Sequence, residues 1–126
     1  MEKLKLYAPK AYWTTPEDEL KKMTGGCGPG GIGDWLVPDT MYGLSVFKAC
    51  QIHDFMYAMG ETNDDKEEAD RAFKNNLIRI IRHHGGILKS LRIIRAHTYY
   101  LSVKWFGGPA FWDNKNKDDE FRTVTV

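Results

Sequence analysis

The chain of 126 residues has few cysteines, no excess of charge of one sign and no long apolar run. With 18 Lys and Arg against 17 Asp and Glu, no overall field favours nucleic acid, and no nucleic-acid partner is expected. No apolar run approaches the roughly 18 residues of a membrane-spanning helix. The start of the chain, MEKLKLYAPKAYW, lacks the apolar core of a signal peptide. Together with the length of 126 residues, these absences predict one globular domain over residues 1–126.

Only two cysteines are present, Cys27 and Cys50. An even pair does not by itself establish an oxidising compartment, and buried thiols are the commoner arrangement in a chain of this size. Composition therefore leaves both a disulfide and two thiols open.

Glycine is concentrated in residues 25–34, GGCGPGGIGD, which predicts a loop because glycine this dense is costly inside a helix or strand. Gly28, Gly30 and Gly33 fit G-x-G-x-x-G, but a dinucleotide site needs a strand before that motif and a helix after it. Here the loop follows a helical pattern, so we reject that interpretation. Two remain: a plain tight turn, or a loop whose carbonyl oxygens face a hard cation such as Ca²⁺.

The rest of the chain has mainly helical patterns. A short helix is expected in TTPEDELKKM, with Thr15 as N-cap, and a longer one from Thr40 to Met59. A second long helix is expected in TNDDKEEADRAFKNNLIRIIRHHGG and a third in ILKSLRIIRAHTYYLSVKWFGG. The terminal FRTVTV predicts a short strand.

The third long helix has two possible interpretations. Five apolar side chains share one stripe: Ile87, Leu91, Ile94, Leu101 and Trp105. Three basic side chains lie off that stripe: Lys89, Arg92 and Arg95. The first interpretation packs the apolar stripe in the core with a solvated basic face. The second is an interfacial lipid-binding helix, with WFGGPAFW as another candidate for the membrane contact.

The stretch ACQIHDFMY places a His–Asp pair inside an apolar helix. Cys50, His53 and Tyr57 share one face of that helix, and Asp70 lies on the apolar stripe of the next one. A carboxylate on such a stripe is costly unless it is paired, and antiparallel packing would bring it to His53. A His oriented by a buried Asp is an arrangement for general-base catalysis, whereas the plainer alternative is a core histidine.

Two further acids and three further histidines offer alternative partners or sites. Asp64 and Asp65 are rival partners for His53, but acids at a helix start usually act as caps. His83, His84 and His97 are expected at helix surfaces and not around a transition metal.

CGPGG followed by CQIHDFMY resembles the phospholipase A2 superfamily, whose calcium loop reads X-C-G-x-G and whose active helix reads C-x-x-H-D-x-x-Y. The spacing from HD to ADRAF is more similar to the compact bacterial, fungal and viral members. The matching core covers residues 26–73. The resemblance implies a phospholipase A2-like, mainly α fold: two antiparallel helices with the active site, a Gly-rich calcium loop and a third long helix. One departure is Gly26, where secreted members usually place an aromatic residue.

The resemblance also implies roles and a reaction. His53 would activate water, Asp70 would orient it, Tyr57 would hydrogen-bond to Asp70, and the Gly30 N–H would stabilise the oxyanion. Ca²⁺ would be bound by the carbonyls of Gly26, Gly28 and Gly30 and the carboxylate of Asp54. The expected activity is calcium-dependent hydrolysis of the sn-2 ester of glycerophospholipids at a membrane surface.

In that family the loop cysteine pairs with the cysteine three residues before the His, here Cys27 with Cys50. A disulfide implies an extracytoplasmic or secreted protein. One alternative is a non-catalytic, calcium-dependent lipid- or protein-binding module on the same fold. The other is a structural protein that uses the loop only as a turn.

Overall fold

The computed structural model describes residues 4–23, 40–112 and 125. Within them the chain is mainly α, as predicted. Its elements in chain order are α1 (Lys10–Thr14), α2 (Glu17–Met23), β1 (Thr40–Met41), β2 (Leu44–Ser45), α3 (Phe47–Met59), α4 (Asn63–His84), α5 (Lys89–Phe106) and α6 (Gly108–Trp112). The predicted Gly-rich loop at 25–34 lies wholly outside the described residues, and so does the predicted FRTVTV strand except for residue 125. Among these elements, no helix is long and apolar enough to cross a membrane.

The longest helix, α4, begins and ends where its sequence indicates. The Thr62 hydroxyl accepts the Asp65 N–H at 3.1 Å, and the Asp65 carboxylate accepts the Thr62 N–H at 3.1 Å, which completes a capping box. Arg82 and two histidines stand in the last turn, and Gly85 ends the helix at φ 67°. His83 and His84 are exposed there, as expected, and His97 is exposed on α5.

The helix predicted from Thr40 begins later, at Phe47. Residues 40–45 form an antiparallel hairpin instead, with Thr40 opposite Ser45 and Met41 opposite Leu44. Tyr42 and Gly43 both have positive φ, 52° and 82°, as a two-residue hairpin turn of this hand requires. The apolar spacing of this segment was therefore misleading. The structure also adds two short helices that were not predicted, α1 and α6.

The interpretation of α5 as a core helix with its apolar stripe inward is wrong. The buried residues of α5 are Arg92, Ala96, Tyr99 and Val103. Arg92 was expected in solvent, but its guanidinium donates to the carbonyls of Met41 at 3.0 Å and Tyr42 at 2.6 Å. Those bonds hold the hairpin against α5 and turn the predicted stripe outward.

Two apolar clusters form the interior, and α3 and α4 contribute to both. The first gathers the hairpin, the start of α3, the second half of α4 and α5. The second gathers α1, α2, the second half of α3, the first half of α4 and Phe111 of α6. Hydrogen bonds attach the N-terminal segment to α3 and α4. The Tyr12 hydroxyl donates to Gln51 at 2.7 Å, and the Tyr7 backbone and the Asn76 side chain share two bonds of 2.7 and 2.8 Å. The candidate active site lies where the two apolar clusters meet.

Candidate active site

The α3–α4 hairpin brings three of the predicted site residues into contact. His53 Nε2 lies 2.8 Å from Asp70 Oδ1, and the Tyr57 hydroxyl donates to the same oxygen at 2.6 Å. His53 and Tyr57 are one turn apart on α3, so both reach one carboxylate on α4. Asp70, and neither Asp64 nor Asp65, is therefore the acid beside His53.

This geometry fixes the tautomer of a neutral His53. An ionised carboxylate only accepts hydrogen bonds, so Nε2 must carry the proton and donate it to Asp70. Nδ1 is then the nitrogen with the lone pair. Among the residues that the structure describes, none hydrogen-bonds Nδ1. The ring also stacks on Phe73, with centroids 4.6 Å apart, which restricts its rotation.

Sequence reasoning missed a fourth member of the site, Lys66. Its Nζ donates to Asp70 Oδ2 at 2.8 Å and to the carbonyls of Val103 and Lys104 at 3.2 and 3.3 Å. The ammonium thus uses its three protons on the carboxylate and on the end of α5. The available signal was its i, i+4 spacing from Asp70 on a helix.

Burial and charge together set the protonation states. Burial lowers the pKa of His53 below its ordinary value, against the opposing effect of Asp70, so the imidazole is neutral near neutral pH. Burial alone would raise the pKa of Asp70, but the hydrogen bonds from His53, Lys66 and Tyr57 outweigh it and lower that pKa. Burial and the nearby Asp70 charge raise the pKa of Tyr57, which stays protonated. The site therefore holds a neutral base against a permanent anion.

Tyr57 is held from its far side by the turn between α5 and α6. Its ring meets Phe111 edge-on, with centroids 5.1 Å apart. A Cβ built on Gly107 would lie 2.6 Å from the Tyr57 hydroxyl and would also collide with the Val103 carbonyl. Gly107 has φ −81°, so close approach and not backbone conformation requires glycine here.

The predicted calcium ligands are divided by what the structure describes. Asp54 follows His53 on α3, and its side chain is buried at 6% exposure and does not face water. A buried carboxylate is the kind of oxygen ligand that Ca²⁺ takes, so Asp54 fits the group. Gly26, Gly28 and Gly30 lie outside the described residues. Within the described part of the chain, no three His, Cys, Asp or Glu side chains form a metal-binding group.

Cys50 lies one turn before His53 on the same face of α3. It is 2% exposed and is not a free thiol. Cys27 lies outside the described residues, so the pairing of Cys27 with Cys50 stays a prediction.

Comparison with known proteins adds no relative to this picture. No family model, no curated protein and no solved structure matches the chain. Function is therefore inferred from the residues of the site and their geometry.

Proposed function

We propose that the protein is a calcium-dependent phospholipase A2-type hydrolase that cleaves the sn-2 ester of glycerophospholipids. The observation that carries the proposal is the buried pair of His53 and Asp70, in which a neutral imidazole is oriented by an ionised carboxylate. The order of residues in CGPGG and CQIHDFMY supports the choice of this reaction among those that use a His–Asp pair.

In this mechanism His53 acts as general base and then as general acid. Nδ1 takes a proton from the water that attacks the ester carbonyl, and the resulting imidazolium is stabilised by Asp70. His53 then returns the proton to the glycerol oxygen as the ester bond breaks, which yields a fatty acid and a lysophospholipid. Tyr57 and Lys66 keep both oxygens of Asp70 in place throughout.

Ca²⁺, when bound, would polarise the ester carbonyl as a Lewis acid. Asp54 would be its carboxylate ligand, and the carbonyls of Gly26, Gly28 and Gly30 would be the others. The Gly30 N–H would donate a hydrogen bond to the oxyanion and so would be the second group, beside the cation, that stabilises it.

A second candidate function is favoured by one observation. The His53 ring is only 1% exposed and lies between Phe73 and Tyr57. A buried network of this kind also suits a non-catalytic, calcium-dependent lipid- or protein-binding module. The Cys27–Cys50 disulfide and a secreted or extracytoplasmic location belong to the proposal in either case.

The decisive experiment measures sn-2 fatty-acid release from phosphatidylcholine and phosphatidylglycerol vesicles, with Ca²⁺ and with chelator. We expect turnover that needs Ca²⁺ and falls about 100-fold or more in His53→Asn. His84→Ala, which removes an exposed histidine of α4, should retain turnover. Calcium-dependent vesicle binding without release in the native protein would favour the binding module and reject the enzyme.

A further inference from the structure

The outer side of α5 carries an exposed apolar stripe. We call the set of Ile87, Leu91, Ile94, Leu101 and Trp105 the α5 face. Their side chains are 99%, 48%, 62%, 48% and 69% exposed, respectively. Ile87 stands just before α5, and at roughly 100° per residue the other four fall within about 80° of the helix circumference. The buried residues of α5, centred near Ala96 and Val103, lie on nearly the opposite side. These apolar groups are therefore not part of the core.

The α5 face lies in a segment without acidic residues. Residues 71–112 contain no Asp or Glu, and eight Lys or Arg: Arg71, Lys74, Arg79, Arg82, Lys89, Arg92, Arg95 and Lys104. Because the whole chain has a net charge of +1, the remainder carries −7. The near-neutral total thus conceals a strongly basic third of the chain.

Two of the exposed basic groups of α5 border the stripe, one on each side. Arg95 lies beside Ile94 and Leu91 and touches the Tyr42 hydroxyl at 3.2 Å. On the other border is Lys104, whose ammonium lies 5.5 Å from the centre of the Trp105 ring. An apolar stripe that contains an indole and has a cation on each border is the pattern of a helix that lies in a lipid interface.

We propose that the α5 face docks on the surface of an anionic phospholipid bilayer. The choice of a lipid surface rests in part on the proposed function. Charge complementarity argues for it independently, because a basic border attracts anionic headgroups while the stripe enters the acyl boundary. A second copy of this chain on the same face would bring the two basic segments together, with like-charge repulsion. Nucleic acid would leave the aliphatic centre of the stripe without a partner.

The C-terminal end of the stripe lies close to the candidate active site. Trp105, at its C-terminal end, lines a cleft of about 500 Å³ together with Lys66, Asp70 and Lys104. Asp70 is the carboxylate that orients His53. Docking through α5 would therefore place the bilayer beside the carboxylate of the proposed pair, and not beside Nδ1 of His53. In the other predicted membrane segment, WFGGPAFW, Phe111 is buried against Tyr57, whereas Trp105, Phe106 and Trp112 are exposed.

The test measures sedimentation of the full chain with vesicles of ether-linked lipids, which have no sn-2 ester to cleave. Vesicles of phosphatidylcholine are compared with vesicles that also contain phosphatidylglycerol, in the presence of chelator. We expect partition that is at least about tenfold stronger with phosphatidylglycerol. Ile94→Ser/Leu101→Ser should weaken that partition about tenfold or more.

The matched control is Trp13→Ser/Met59→Ser, which removes two apolar side chains of similar exposure, 57% and 56%, away from α5. This variant should keep the native partition, and circular dichroism checks that both variants are folded. The blue shift of indole fluorescence on anionic vesicles should be much smaller in Trp105→Phe.

Three results would overturn the docking proposal: equal losses in the two double variants, equal partition to the two kinds of vesicle, or a dimer in solution that Ile94→Ser/Leu101→Ser dissociates. Because binding to ether lipids does not depend on hydrolysis, the two proposals fail separately. Native binding without ester cleavage in the release assay would reject the enzyme and keep the docking face. Cleavage that survives loss of the α5 face would do the reverse.

Discussion

The α3–α4 helical hairpin buries polar side chains of types that are normally exposed to water, whereas α5 exposes apolar side chains of types that are normally buried. His53, Asp54 and Asp70 are at most 6% exposed, while Ile94 and Trp105 are more than 60% exposed. His53 and Asp70 are stabilised by their mutual hydrogen bond and by the bonds from Tyr57 and Lys66 to Asp70. The exposed apolar groups have no such compensation among the described residues. The polar groups of the pair are therefore satisfied within the chain, whereas the α5 face is the surface that we propose to be covered by a bilayer.

The largest expected effect tests the buried network. Asp70→Ala removes the acceptor shared by His53, Tyr57 and Lys66 and leaves a nearly buried ammonium without its counter-ion. We expect a loss of about 3–5 kcal/mol in the free energy of unfolding, measured in urea with chelator present. Asp64→Ala, at an exposed position in the first turn of the same helix, should cost less than about 1 kcal/mol.

The ammonium accounts for part of that loss, which a double variant can show. Asp70→Ala/Lys66→Met removes the uncompensated charge, so its cost should be smaller than the sum of the two single costs. Additive costs, or a cost for Asp70→Ala no greater than for Asp64→Ala, would contradict the network as described.

The next prediction compares one substitution in the two regions. Leu77→Ala empties a site that is fully buried in α4, and we expect it to cost about 2–5 kcal/mol. Leu101→Ala makes the same chemical change on the α5 face, where the side chain is 48% exposed, and should cost less than about 0.5 kcal/mol. Thermal and urea unfolding of both variants measure the difference. Similar costs would mean that the α5 face is covered in solution, and the comparison between the two regions would fail.

The smallest effect concerns the turn between α5 and α6, where Gly107 packs against Tyr57 of the α3–α4 hairpin. Gly107→Ala places a Cβ 2.6 Å from the Tyr57 hydroxyl, and we expect a loss of about 1–3 kcal/mol as the packing shifts. Gly108→Ala is the matched control, because its Cβ would meet nothing within 4 Å and alanine favours the helix that begins there. Proton NMR of the Tyr57 ring should change only in the first variant. No difference between the two alanines would show that Tyr57 does not need the close approach at Gly107.

Much of the α3–α4 site was predictable because it is local. Helical spacing places His53 and Tyr57 on one face, and a three-residue connection to α4 makes antiparallel packing the simplest arrangement. Asp70 was identifiable by its costly position on an apolar stripe. Lys66 was missed, although its i, i+4 spacing from Asp70 was visible, because ion pairs of this spacing are common on helix surfaces.

What the sequence by itself determined was the mainly helical pattern, the ends of α4, the adjacency of His53 and Asp70, and the basic segment at 71–112. What only the tertiary structure decided was orientation. Periodicity shows that a helix has an apolar stripe, but it does not show which side faces the core. In α5 the bonds from Arg92 to the hairpin carbonyls place a charged residue inside and the apolar stripe outside. That reversal depends on contacts about 50 residues apart in the chain, which local patterns do not encode.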